Sequence, residues 1–297
     1  MTQNGAVNRI AVVARPIGLI IASLALLWVT VSTVPPMVWG ADLEAYRVAG
    51  QDLRAVDNPY ATSLSRFEES QYRYPPLLAM TMPLLGSSVV WYALMTLCLL
   101  GVAYLAWRDH GWGGLVLPSL VTGPLAQNFI VGNAEIAIVG LLALAPRYRR
   151  AGPIALAVAT SIKLWPVLGL VWFIGRRDWR GARWFVAALA LLILVQVPWM
   201  DDWIRYWQSP KAAFTVGGIS LRVMFGEAIW LGITAMVAVA AILTAGSKRG
   251  WTMAVLLQLV ALPRAFVPSL AVFAAAVPPQ TAGLSESAVS PRSLSTS

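Results

Sequence analysis

Long apolar runs alternate with short charged segments along the whole chain. Five runs approach the ~20 apolar residues that an α-helix needs to cross a bilayer. They cover residues 16–36, 86–107, 182–199, 221–245 and 251–276. Another apolar region, residues 112–175, is interrupted by proline, glycine and charged residues. The pattern predicts an all-α polytopic membrane protein of about nine segments, some of them half-length.

Composition supports this class and excludes others. Hydrophobic residues make up 58% of the chain and charged residues only 12%, against roughly 25% in a soluble domain. The net charge of +9 is spread over short clusters between apolar runs, so we expect no nucleic-acid partner. One cysteine, Cys98, and one histidine, His110, exclude an intrachain disulfide and a site of several Cys or His ligands. No cofactor is expected.

The basic residues also predict an orientation, because cytoplasmic loops carry an excess of Lys and Arg. With residues 1–15 in the cytoplasm, the inner loops hold twelve basic and two acidic residues. The outer loop at residues 39–74 then holds four basic and six acidic residues. We therefore expect a multi-pass plasma-membrane protein with one transmembrane domain at 16–276. Residues 277–297 are rich in Ser, Pro and Thr and are expected to form a disordered tail.

Two segments are too short for the spans that their charge pattern requires. Residues 151–175 lie between two predicted inner clusters, yet 25 residues of helix, at about 1.5 Å per residue, cannot cross a bilayer twice. A hairpin of two half-length helices satisfies both constraints, with its apex near Ser161 to Pro166, where proline can break the helix. Residues 112–146 predict a similar apex between Gly123 and Asn133.

Acidic and aromatic residues follow directly after the first apolar run. If this segment is helical, Asp42 and Tyr46 share a face, whereas Glu44 points elsewhere. Asp42 follows the apolar Val38 and Trp39, and a carboxylate in such a position can have a raised pKa and act as a base. The alternative is a helix cap or a solvated acid. Asp42 and Glu44 would hold a divalent cation only weakly, and no metal site is expected.

Two further motifs lie in the same loop. Asn58-Pro59-Tyr60 is a turn signal, and Tyr72-Arg73-Tyr74 is followed by two prolines that favour a helix start. Arg73 between two tyrosines suits sugar stacking and phosphate pairing. The alternative is that both motifs only shape the loop.

Three charged residues interrupt apolar segments: Glu135, Lys163 and Arg264. Charges at membrane depth are costly and therefore mark candidate functional sites. Lys163, at the predicted hairpin apex, could pair with a lipid phosphate or could instead extend to the membrane interface. Glu135 could neutralise Lys163.

These motifs in combination resemble a known family. The segments "ADLEAYRVAGQDLRAVDNPY", "YRYPPLLAMTMPLL" and "VGNAEIAIVG", with the later Lys-x-x-Pro at 163–166, are similar to glycosyltransferase family 87. This family belongs to the GT-C superfamily and includes actinobacterial mannosyl- and arabinosyltransferases. The resemblance covers roughly residues 15–230.

The resemblance implies a reaction and a role for each matching residue. Asp42 would be the general base for inverting transfer of a sugar from polyprenyl phosphate to a lipid or glycan acceptor. Mannose is the preferred sugar, with arabinose or another hexose as the alternative. A transporter and a non-catalytic homologue remain alternatives of other classes. The implied substrate-binding residues are Glu44, Tyr46, Asn58, Tyr60, Arg73, Tyr74, Asn133, Lys163 and Arg222.

Overall fold

The computed structural model describes residues 3–65, 71–209, 219–263 and 265–280, and every regular element in these ranges is helical. The α-helices are α1 (Gln3–Thr33), α2 (Ala41–Val56), α3 (Ala61–Ser65), α4 (Pro76–Leu85), α5 (Ser88–His110), α6 (Val116–Leu120), α7 (Thr122–Val131), α8 (Glu135–Leu144), α9 (Ala151–Ile162), α10 (Leu170–Gly175), α11 (Trp179–Gln196), α12 (Met200–Gln208), α13 (Leu221–Phe225), α14 (Glu227–Thr244) and α15 (Gly250–Val260). Short 3₁₀ helices include Trp165–Gly169 and Val267–Ala276.

Four helical stretches are long and apolar enough to cross a membrane. They are Pro16–Thr33, Ser88–Leu120, Trp179–Gln208 and Glu227–Thr244. Local sequence sets two of their starts, because Ser87 caps α5 and Asp178 caps α11 through side-chain oxygens. The chain is an all-α polytopic membrane protein, and four of the five predicted spans are confirmed as long apolar helices.

The fifth predicted span, 251–276, is wrong as a continuous helix. Helix α15 ends at Val260, and the segment Val267–Ala276 returns alongside it. Trp251 donates to the Ala275 carbonyl at 2.8 Å, and Thr252 donates to the Ala276 carbonyl at 2.7 Å. Pro263 and Pro268 lack backbone N–H groups and therefore oppose a helix through this region.

The break predicted in residues 151–175 is confirmed. Helix α9 ends at Ile162, and Lys163 has an extended backbone before the 3₁₀ turn and α10. At the two ends of this segment, Gly152 lies against Ala145 and Gly175 lies against Ala245, and both alanines belong to the same hydrophobic core. The break is therefore present in the structure, and the return of the segment to the membrane face at which it began stays a prediction.

A third hairpin consists of α7 and α8, and its break at Gly132 lies at the C-terminal end of the predicted apex region, one residue before Asn133. Gly132 has a φ of 75°, and its carbonyl accepts a hydrogen bond from Trp91 near the start of α5. At the other end of α5, Asp109 pairs with Arg147, which follows α8, at 2.7 Å. The start of α5 therefore lies beside the α7–α8 break, and the end of α5 lies beside the segment that follows α8.

The predicted outer loop is largely helical. Helix α2 occupies much of it and buries Leu43, Tyr46 and Ala49 against α4 and α5. The predicted tail starts with ordered contacts, since the Val277 carbonyl accepts from Arg147 at 3.0 Å. Most of that tail, residues 281–297, lies outside the described residues, as does Arg264.

Candidate active site

The first turn of α2 places Asp42 against the break between α7 and α8. Gly40 precedes the helix with a φ of 72°, a conformation that favours glycine. Its N–H donates to the Ile130 carbonyl at 2.9 Å. This backbone bond joins the start of α2 to the end of α7, so Asp42 projects toward Asn133.

Asn133 holds the Asp42 carboxylate. Its Nδ2 donates to Asp42 Oδ2 at 2.5 Å. The orientation of the Asn133 amide is set by the contacts of its oxygen atom. Oδ1 accepts from the Glu135 N–H at 2.8 Å and from the Tyr74 hydroxyl at 3.4 Å. Asn133 thus has one donor atom available for Asp42, and the α7–α8 break fixes its direction.

Lys163 forms an ion pair with Glu135 at the apexes of two hairpins. The Lys163 Nζ lies 2.7 Å from Glu135 Oε2 and 5.5 Å from the centre of the Tyr74 ring. The Glu135 side chain is only 4% exposed, whereas that of Lys163 is 31% exposed. The pairing expected from sequence is therefore present. The partly exposed side chain of Lys163 also lines a cavity that Asp42 and Asn133 share.

A cavity of about 290 Å³ brings these groups together. This is near the lower end of the roughly 300–1,000 Å³ typical of ligand pockets, so it suits one sugar-sized ligand. The breaks of three hairpins contribute to its wall. These hairpins are α7–α8, α9–α10 and the one that α15 forms with the 3₁₀ helix Val267–Ala276, called the α15 hairpin below. Its lining residues are Val38, Ala41, Asp42, Gln127, Asn128, Val131, Asn133, Glu135, Lys163, Phe266, Pro268 and Ser269.

The environment of Asp42 suits a base. Burial raises the pKa of its carboxyl above the ordinary value of 3.8, and this desolvation is the largest effect. The Asn133 hydrogen bond and the positive charges of Lys163 and Arg73 oppose the rise in the pKa. Asp42 is therefore a better proton acceptor than a solvated aspartate, while nearby donors and cations still favour its charged form.

Three of the implied substrate-binding residues do not line the cavity but hold the segments that form it. Tyr46 is buried, and its hydroxyl accepts from the Ala134 N–H at 3.2 Å, which anchors the α7–α8 break to α2. Tyr60 is also buried and donates to the Tyr74 carbonyl at 2.8 Å. Asn58 accepts from the Tyr60 N–H at 2.8 Å and so forms the turn before it.

The other implied residues are in different surroundings. Glu44 pairs with Arg47 at 3.3 Å and lines a second cavity of about 310 Å³ rather than the one with Asp42. Arg222 is exposed and pairs with Glu227 at 3.3 Å, and it is not among the residues lining the Asp42 cavity. Arg73 lies close enough for its positive charge to lower the pKa of the Asp42 carboxyl.

Sequence reasoning missed Gln127, Asn128 and the segment 266–269. The adjacent amides at 127–128 could have been noticed, because neutral polar side chains at membrane depth need partners. Residues 266–269 gave no such signal, since they fell within a predicted continuous span. Within the described ranges, no three His, Cys, Asp or Glu side chains come together as a metal site.

A comparison with protein families decides the class of this molecule. The sequence profile of glycosyltransferase family 87 matches residues 72–288. The chain belongs to glycosyltransferase family 87. No curated protein and no solved structure is similar to it in the corresponding comparisons. The matched range contains all three hairpins and Lys163, and it begins after Asp42.

Membership of family 87 makes the protein a membrane glycosyltransferase, with a sugar donor and an acceptor. The matched range extends past residue 230, where the resemblance based on motifs ended. It therefore includes the α15 hairpin, whose apex supplies Phe266, Pro268 and Ser269 to the cavity.

Proposed function

We propose that this family 87 protein transfers a single sugar from polyprenyl phosphate to a lipid or glycan acceptor, with Asp42 as the general base. The observation that carries the proposal is one cavity lined by both Asp42 and Lys163. A base and a cation in one sugar-sized cavity match the two charge changes of the reaction. The acceptor loses a proton, and the leaving phosphate gains negative charge.

The reaction follows from these two groups. The acceptor hydroxyl oxygen attacks the anomeric carbon, and its proton passes to the Asp42 carboxylate. The bond between the anomeric carbon and the phosphate oxygen breaks, and its electron pair leaves with the polyprenyl phosphate. Lys163 stabilises that phosphate. Attack from the side opposite the leaving group inverts the anomeric configuration.

Mannose is the preferred sugar, and arabinose or another hexose would use the same mechanism. The donor carries its activating phosphate on a lipid, so the reaction requires no nucleotide. Half-length hairpins support this assignment, because their non-helical apexes create a polar cavity at membrane depth. We place the protein in the plasma membrane with its N-terminus in the cytoplasm and the cavity at the outer face.

Transfer from radiolabelled polyprenyl-phosphate mannose tests the proposal. Membranes with the wild-type protein should label an acceptor, whereas Asp42→Asn should reduce the rate by about 10²–10⁴-fold. Glu44→Gln is the matched control, because Glu44 lies two residues after Asp42 on α2 and lines the other cavity. Full transfer by Asp42→Asn would remove Asp42 as the base. Failure of the wild type with every polyprenyl-linked sugar would favour a non-catalytic homologue.

A further inference from the structure

One wall of the Asp42 cavity carries two neutral amides that the proposed mechanism does not use. Gln127 and Asn128 lie on α7, one turn before the break at Gly132. Asn128 is only 1% exposed. Its Nδ2 donates to the Pro124 carbonyl at 3.0 Å and to the Pro268 carbonyl at 2.8 Å. Both amide hydrogens are therefore committed, and the orientation of the side chain is fixed.

This orientation leaves Asn128 Oδ1 as an acceptor without a partner among the described residues. A nearly buried carbonyl oxygen is unfavourable unless a donor pairs with it. Because Asn128 lines the cavity, a ligand in the cavity can supply that donor. Gln127 also lines the cavity, and its side-chain amide has no hydrogen-bond partner among the described residues.

The chemistry of the Gln127 and Asn128 amides determines which kind of ligand group can bind beside them. A phosphate oxygen carries no hydrogen at neutral pH and would be repelled by a carbonyl oxygen, so the phosphate belongs near Lys163. A sugar hydroxyl donates a hydrogen bond to Asn128 Oδ1, and Gln127 can both donate and accept. Two neutral amides in the same cavity as the Lys163 cation thus match a sugar attached to a phosphate.

We infer that Gln127 and Asn128 form a subsite for a hydroxyl of the transferred sugar, with Asn128 as a specificity-determining residue. The inference rests on the proposed function, since it places the sugar of the lipid-linked donor in this cavity. Its consequence is selectivity, because a site that pairs with a hydroxyl discriminates against a donor that lacks it.

A cycle of deoxy donors and variants tests the subsite. The probes are polyprenyl-phosphate mannose and its four analogues deoxygenated at C2, C3, C4 or C6. In the wild type, one analogue should lose about tenfold or more in kcat/KM. In Asn128→Ala, the same analogue should lose no more than about twofold relative to the full sugar, since the partner atom is already absent.

The cycle also separates recognition from packing. Asn128 joins α7 to the segment after α15, so Asn128→Ala could slow transfer of all five donors equally. Such a uniform loss, with the deoxy penalty unchanged, would overturn the inference. So would a wild type that tolerates all four deoxy donors, or a penalty that appears only with deoxy acceptors.

A second variant covers a failure of Asn128→Ala to fold. Gln127→Leu leaves the bonds to Pro124 and Pro268 intact and should weaken the discrimination against one deoxy donor. If Asn128→Ala does not accumulate and Gln127→Leu keeps every wild-type penalty, the subsite is refuted. Wild-type transfer of unmodified mannose tests the proposed function separately, so the two failures are distinguishable.

Discussion

The Asn133 side-chain amide donates to the Asp42 carboxylate across 91 residues of sequence, at 2.5 Å. This bond links the first turn of α2 to the break between α7 and α8. Asn133 is in turn held by the Glu135 N–H and the Tyr74 hydroxyl. The candidate base therefore depends on the geometry of a hairpin that is distant in sequence.

We predict that Asn133→Ala lowers kcat by about 10- to 100-fold, the range expected for loss of a hydrogen bond to a charged group. Because that bond lowers the pKa of Asp42, its removal should also move the acidic limb of the pH–rate profile to higher pH. Rates measured between pH 4 and 8 would show both effects. A kcat loss with an unchanged acidic limb would indicate a structural role only.

The pH profile of the wild type follows from the burial of Asp42. Since desolvation raises the pKa of this carboxyl above 3.8, activity should fall, as pH decreases, at a higher pH than for a solvated aspartate. Arg73→Gln removes a positive charge that lowers this pKa, so its acidic limb should lie higher still. Glu44→Gln is the control, because Glu44 faces the other cavity, and it should leave the limb in place.

The Lys163–Glu135 pair predicts a separation of stability from activity. Lys163→Met leaves Glu135 buried without its partner and should destabilise the protein, by less than the about 3–5 kcal/mol of a fully buried pair, because Lys163 is 31% exposed. The double variant Lys163→Met/Glu135→Leu should recover the thermal unfolding midpoint. Its transfer rate should remain about 10²–10³-fold below wild type, since the phosphate loses its cation. Recovery of both properties would contradict the role of Lys163.

Gly132 has a conformational requirement that can be tested directly. Its φ is 75°, and an added Cβ would lie 2.8 Å from the Leu43 Cβ. Gly132→Ala should therefore lower the free energy of unfolding by at least about 1–2 kcal/mol and should displace Asn133 from Asp42. Gly232→Ala is the matched control, because Gly232 lies in α14 with nothing within 4 Å. Equal unfolding midpoints for the two variants would contradict this assignment.

The proposed orientation predicts which face each loop occupies. A reporter inserted at residue 65 should be active outside the membrane, and one at residue 178 should be active in the cytoplasm. Residue 65 ends α3 and residue 178 precedes α11, so neither insertion interrupts a long apolar span. If residue 178 is outside, the α9–α10 segment cannot return to the side on which it began, and the proposed orientation fails.

The sequence by itself determined the membrane class and two of the breaks. Five long apolar runs predicted membrane-length helices, and four of these are confirmed, because length and hydropathy are local properties. The basic clusters on either side of 151–175 required a hairpin, and the break falls at Lys163. The sequence also raised the possibility that Glu135 neutralises Lys163, since opposite charges at membrane depth favour each other, and the structure shows this pair.

Only the tertiary structure decided how the cavity is assembled. Hydropathy could not reveal that 251–276 folds back, because both halves of that segment are equally apolar. Pro263 and Pro268 oppose a continuous helix, but only packing decides that the second half returns along the first. That reversal brings Pro268 to Asn128 across 140 residues. The contact between Asn133 and Asp42 likewise arises from packing of α2 on the α7–α8 hairpin. Such long-range contacts are set by the complementary shapes and hydrogen-bonding groups of distant segments, and no local pattern encodes them.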